Sequence, residues 1–146
     1  KPDDTAGSVT QTLSTLGANL LLETLPHFIS GKLIAVPHPA EGATYAPMLK
    51  KEDGLLDFTR TAIELERRVR AMNPWPGAFM DFDGVTLKIH HAHVELGNVS
   101  AGMRLVVQNQ PAVGARGGLL ILDEVQPAGK KSMSGKSFLA GARNWE

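Results

Sequence analysis

The chain has 146 residues, 15 Lys and Arg against 15 Asp and Glu, five His and no Cys. That length suits one domain, or a small domain with a piece of another, and 42% apolar residues suffice for a real core. Zero formal net charge and zero Cys exclude a strongly basic nucleic-acid binder, disulfides, thiol nucleophiles and Cys-based zinc sites, and they fit a reducing compartment.

No apolar run approaches the ~20 residues that span a bilayer. Lys1-Pro2-Asp3-Asp4 does not read as a signal peptide, and a first residue other than Met is expected of a fragment or a processed product.

Residues 5–30 predict a helix. Thr5 is a candidate N-cap behind Asp3 and Asp4, which favour the positive end of a helix. Val9, Leu13, Leu16 and Leu20 recur on one face. Pro26 predicts a kink or a restart near Thr24, and Gly31 a stop. Residues 32–58 hold Pro37, Pro39, Gly42 and Pro47 without sustained periodicity, as a linker between two bodies does.

Residues 59–72 predict a second helix. Thr59 is its candidate cap, and Thr61 with Glu64 a capping box. Ala62, Leu65, Val69 and Met72 form the buried stripe, which leaves Arg60, Arg67, Arg68 and Arg70 mostly wet. Asn73-Pro74 ends it. Strands are then expected at 78–82 and 85–94 around an Asp83-Gly84 turn, at 103–107, near 110–113, and at 119–125. Ser134 caps a last short helix ending at Gly141. Several short strands with Gly-rich turns predict a small antiparallel barrel or sandwich.

The neutral total hides a pattern. Residues 59–72 set four Arg against Glu64 and Glu66, a net of +2. Residues 126–146 set Lys130, Lys131, Lys136 and Arg143 against Glu146, a net of +3. These are either two solvated faces or, if the fold joins them, one patch.

No active site assembles from the residues alone. His91 and His93 share a strand face with Glu95, while His90 opposes them. Two same-face imidazoles are half of a metal site, but surface strand histidines are the commoner explanation, and no metal is assigned. Gly114-Ala115-Arg116-Gly117-Gly118 lacks the phosphate-loop spacing and reads as a hairpin loop; Gly129-Lys130-Lys131-Ser132 lacks the upstream glycine. Tyr45, Trp75 and Trp145 either stack on a base or fill a core or seam, and Trp75 between two prolines favours the seam.

Four stretches match a known family. They are Asp4-Thr5-Ala6-Gly7 with Leu20-Leu21-Leu22-Glu23-Thr24-Leu25-Pro26, then Thr44-Tyr45-Ala46-Pro47 running to Lys51-Glu52-Asp53-Gly54. Glu66-Arg67 with Arg70-Ala71 and Asn73-Pro74-Trp75-Pro76-Gly77-Ala78 follows, and Gln126-Pro127-Ala128-Gly129-Lys130-Lys131 with Met133-Ser134 closes the set. On these the chain resembles the C-terminal part of the methionyl-tRNA formyltransferase family. The match is weak between about Glu95 and Gly118.

The resemblance implies a fold that is mainly β with helices: an OB-like (Greek-key) antiparallel β-barrel preceded by a helix and an extended linker. It divides the chain into 1–31, the terminal helix of an N-terminal Rossmann-like domain, 32–54, the linker, and 55–146, the barrel. It implies a parent enzyme that moves formyl from 10-formyltetrahydrofolate to the methionine amino group on initiator methionyl-tRNA, in the bacterial cytoplasm or an organelle. The folate and the catalytic Asn, His and Asp belong to the N-terminal domain, so this chain is expected to bind no cofactor, to be inactive alone and to be monomeric. Its implied task is to hold tRNA through Lys50, Lys51, Arg67, Arg68, Lys88, Lys130, Lys131, Lys136 and Arg143. Met48 departs from the Lys common in the family and removes one linker charge. The alternative is a structural C-terminal domain of a related formyltransferase or formyl-folate hydrolase with no tRNA role.

Overall fold

In the computed structural model, which describes residues 1–142 and 144–146, the chain opens with a long helix, α1 (Ala6–Ile29). Thr5 and Ser8 cap it reciprocally: the Ser8 N–H donates to Thr5 Oγ1 at 3.2 Å and the Thr5 N–H to Ser8 Oγ at 3.0 Å. Of the kink or restart expected near Thr24, the restart does not occur. The helix runs through to Ile29 and buries no residue, so water can serve the carbonyl that Pro26 leaves unpaired. Residues 30–50 are irregular and exposed as expected, and a 3-10 turn, Lys51–Gly54, follows.

The second helix, α2 (Ala62–Ala71), starts later than the sequence predicts. Thr61 is the cap, with Glu64 Oε2 accepting the Thr61 N–H at 2.9 Å. Thr59 instead turns back on Asp57, whose Oδ1 accepts both its N–H and its hydroxyl. Ala62, Leu65 and Val69 are buried. Burial of Leu65 and Val69 stabilises the domain by about 1.5–3 kcal/mol each.

Six strands follow: β1 (Ala78–Phe82), β2 (Val85–Glu95), β3 (Arg104–Val107), β4 (Gln110–Ala115), β5 (Gly118–Pro127) and β6 (Met133–Ser134). A short helix, α3 (Gly135–Gly141), ends the set, with Ser134 as its cap. These strands pair antiparallel with one another, in the order β1-β2-β5-β4-β3 with β6 on β5. Strands β3, β4 and β5 are consecutive hairpins and β2 returns beside β5, which is Greek-key order.

Among the described residues the edge strands β1 and β3 do not pair, so the sheet is open, but it curls until they approach. Arg104 of β3 reaches Asp83 beyond β1 at 2.9 Å, with its guanidinium 5.0 Å from the Phe82 ring centre. Trp145, 2% exposed, donates its indole N–H to the Leu105 carbonyl at 2.8 Å. Its ring lies 5.5 Å from Phe82 and 5.6 Å from Phe138. Of the three aromatics with polar handles, Trp145 is therefore a core plug, whereas Tyr45 and Trp75 are exposed.

Both faces of β5 are covered. Leu120 and Leu122 join the main core with Leu65, Val69, Leu87, Ile89 and Val125. Leu119 and Ile121 join Ala112 in a smaller cluster on the other side, beneath Val99.

Candidate nucleic-acid interface

The turn between β5 and β6 organises the basic residues. Gly129 adopts φ +74°, which an L side chain rarely tolerates, so the chain reverses there and presents Lys130 and Lys131. Gln126 steadies the reversal: its side-chain amide donates to the Lys130 carbonyl at 2.8 Å, while its Oε1 lies 2.9 Å from His90 Nε2. In the sequence Gln126 stands only as one letter of a string. Its position beside Pro127 and Gly129 is the signal that marks a turn.

On one side of this turn Lys51 and Lys88 converge. With Thr86, Gln126, Pro127, Ala128 and Gly129 they line a groove of about 330 Å³. Lys51 arrives from the 3-10 turn and Lys88 from the outward face of β2, between the inward Leu87 and Ile89. On the other side Lys130 lines a pocket of about 480 Å³ whose walls are mainly apolar, including Phe82, Val85, Met133 and Phe138. Lys136 stands exposed on α3 beside Ser137, which also lines that pocket. Lys50 is exposed next to Lys51, and its N–H donates to Asp53 Oδ2 at 2.7 Å.

Among the described residues no lysine side-chain ammonium reaches a carboxylate within 4.0 Å. An unpaired ammonium keeps its full charge for a polyanion and loses no internal partner on binding.

The arginines of α2 behave differently. Arg67 is exposed, in a separate shallow groove with Arg60, Glu64 and Arg68. Arg68 is half-buried: its guanidinium donates to the Asp53 carbonyl, and its Nε is buried without a partner. Arg70, expected to be wet, forms a two-bond pair with Glu66, and its Nη1 donates to the Asp4 carbonyl at 2.9 Å. The fold thus gathers Lys51, Lys88 and Lys130 around one turn, leaves Arg67 apart and uses Arg68 internally. Arg143 lies outside the described residues.

The histidines are held by a carboxylate. His91 and His93 share a face as expected, and each Nδ1 lies 2.9 Å from Asp123. A bulge at His90–His91 turns both of these residues away from the core while Ala92 points in. The Asp123 carboxylate holds the His93 imidazolium above its ordinary value of 6.5. Among the described residues no three His, Asp or Glu side chains are arranged so that they could hold a metal ion together. None of the described helices is long and apolar enough to cross a membrane.

Comparison with known proteins adds the frame. Residues 48–143 match the family described as formyl transferase, C-terminal domain. A protein of Myxococcus xanthus named methionyl-tRNA formyltransferase is 44% identical over 141 residues, which is 96% of this chain and 45% of that protein. A Bacillus subtilis protein of the same name is 40% identical over 143 residues, 95% of this chain and 45% of that one. The chain therefore spans about half the length of the relatives it matches. Among solved structures, a HypX variant from Aquifex aeolicus superposes with a TM-score of 0.64 at 19% identity, over 94% of this chain and 26% of that one; this is a likeness of fold. The chain belongs to the formyl transferase family, of which residues 48–143 form the C-terminal domain.

Proposed function

We propose that this chain is the tRNA-holding part of a methionyl-tRNA formyltransferase, and that its lysines grip phosphates of initiator methionyl-tRNA. The observation that carries the reading is the convergence of Lys51, Lys88 and Lys130 on one turn, with Lys131 next in sequence and, among the described residues, no carboxylate within 4.0 Å of any of their ammoniums. Such lysines supply affinity through counterion release and read no base. The names of the relatives support the choice of tRNA over other polyanions.

The same reading divides the chain into a terminal helix of the catalytic body (1–31), a linker (32–54) and the tRNA-holding domain (55–146). Its support is the state of α1. Leu13, Leu16 and Leu20 line one face at 59%, 60% and 56% exposure, and an apolar stripe this long belongs against another surface. We assign formyl transfer, and the binding of 10-formyltetrahydrofolate, to that upstream body. The apolar pocket beside Lys130 does not fit a pterin, which needs an array of donors and acceptors: its one carboxylate, Asp83, is taken by Arg104. The whole enzyme would act in the cytoplasm of a bacterium or in an organelle, as a monomer.

The test is binding of initiator tRNA to this chain over a range of salt. The reading expects detectable affinity at low salt that falls linearly in log–log form as salt rises. No binding at any salt would favour a purely structural domain.

A further inference from the structure

From Lys1 to Glu52 the chain is exposed except at Asp4, Thr5, Ala6, Gly7 and Thr24. Four of these five half-buried residues are consecutive, at the N-terminal end of α1, and they meet the segment that follows α2. The Gly7 N–H donates to the Asn73 carbonyl at 3.0 Å. A Cβ on Gly7 would stand 2.9 Å from Pro74 Cδ, closer than real Cβ atoms come, so only glycine fits. Arg70 Nη1 donates to the Asp4 carbonyl at 2.9 Å, across 66 positions of sequence. Both receiving residues are themselves fixed. Glu66 holds Arg70 by two hydrogen bonds, and the Asn73 amide donates to the His90 carbonyl of β2 at 3.2 Å.

Among the described residues the far end of α1 has no such anchor. Residues 34–49 are wholly exposed, and their hydrogen bonds stay within the segment: Ala43 N–H to the Ala40 carbonyl, and His38 to the Pro39 carbonyl. The 24 residues of α1 extend about 36 Å from the contact. A helix of that length held at one end acts as a lever, and its direction is set by the bonds at that end.

We infer that Asp4–Gly7 and Arg70–Pro74 form a clasp that fixes the direction of α1 relative to the β domain, with Arg70 as a positioning residue. The clasp, rather than the linker, then orients any body packed along α1. That extension rests on the proposal that α1 closes the catalytic body, whereas the clasp itself does not. A fixed direction matters because one tRNA must reach both bodies at once, and a loosened joint lowers the effective concentration of the second contact. The two halves of this contact, Asp4–Gly7 and Arg70–Pro74, lie far apart in sequence and are brought together by the fold.

The absence of Cys allows clean spin labelling. Labels at Asn19→Cys on α1 and Asn98→Cys in the exposed β2–β3 loop report the lever's direction in the chain as it stands. The expected result is a single narrow distance. Arg70→Ala should lose it, with a broad distribution in its place. Gly7→Leu should do the same, although leucine is a good helix former and leaves α1 intact. Arg67→Ala, one turn-position away and outside the clasp, should keep the narrow distance. An unchanged β-domain amide spectrum separates loosening from unfolding; if Arg70→Ala does not fold, Gly7→Leu decides. A broad distribution in the parent chain, or a narrow one retained in Gly7→Leu, would overturn the clasp. Neither reading involves tRNA, so failure here is distinct from failure of the proposed function.

Discussion

Helices α1 and α2 carry the same signals in sequence and meet opposite fates. Each has a reciprocal cap, Thr5 with Ser8 and Thr61 with Glu64, and each has an apolar stripe. The stripe of α2 is sealed: Leu65 and Val69 are both 0% exposed against β2 and β5. The stripe of α1 faces outward along its whole length. Periodicity therefore reports that a face is meant to be covered, and is silent on what covers it. The difference also divides the molecule thermodynamically, because α2 belongs to the cooperative core while α1 beyond its clasp is held by helix propensity alone.

The sharpest way to break this contrast is to truncate one leucine on each helix. Leu65→Ala opens a cavity in the core and is expected to cost about 2–5 kcal/mol in urea unfolding. Leu16→Ala should change stability by no more than about 0.5 kcal/mol, since its side chain touches nothing that folding seals. Equal effects would mean that α1 is packed in solution. A smaller effect separates the two caps. Thr61→Ala should lower global stability by about 1 kcal/mol, whereas Thr5→Ala should speed amide exchange only in the first turns of α1.

The smallest expected effect concerns pH. The folded pKa of His93 is raised by Asp123, so the pair's stabilisation is fully present below the unfolded value of 6.5 and is lost as pH rises through the folded value. The stability difference between parent and His93→Gln should therefore shrink from acid to mildly alkaline pH. His93 is 44% exposed on its side chain, so solvent screening keeps the effect small. A difference independent of pH would remove the charge from the account.

What the sequence discloses is what lies close along the chain. The β1–β2 hairpin is legible in Asp83-Gly84, because both residues adopt positive φ, 54° and 81°, as a tight hairpin turn demands. The reading of residues 114–118 as a hairpin loop also holds, with Ala115 opposite Gly118 and Gly117 at φ +74°. The bulge at His90–His91 was not legible, since an extra residue leaves no mark in an alternating pattern until the partner strand is known. The arginines were the largest gap. Arg68 and Arg70 fall on the polar arc of a helical wheel, yet their partners, the Asp53 and Asp4 carbonyls, are backbone atoms 15 and 66 positions away. Backbone acceptors have no letter in a sequence. Trp145 joins Phe82 and Phe138 for a similar reason, through curvature of the sheet. Of the candidate site, Lys130 and Lys131 are marked by their string; the placement of Lys51 and Lys88 on the other side of the same turn requires the fold.

The most direct test of the central claim compares salt dependence. Initiator-tRNA affinity would be measured against salt for the parent chain and for Lys51→Ala, Lys88→Ala, Lys130→Ala and Lys131→Ala combined. If each lysine neutralises one phosphate, the log–log slope should become shallower by about one per residue, with stability unchanged. Arg68→Ala should do the reverse, lowering stability and leaving the slope in place. An unchanged slope in the lysine variant, with tRNA still bound, would contradict the claim that this turn is the surface that grips the nucleic acid.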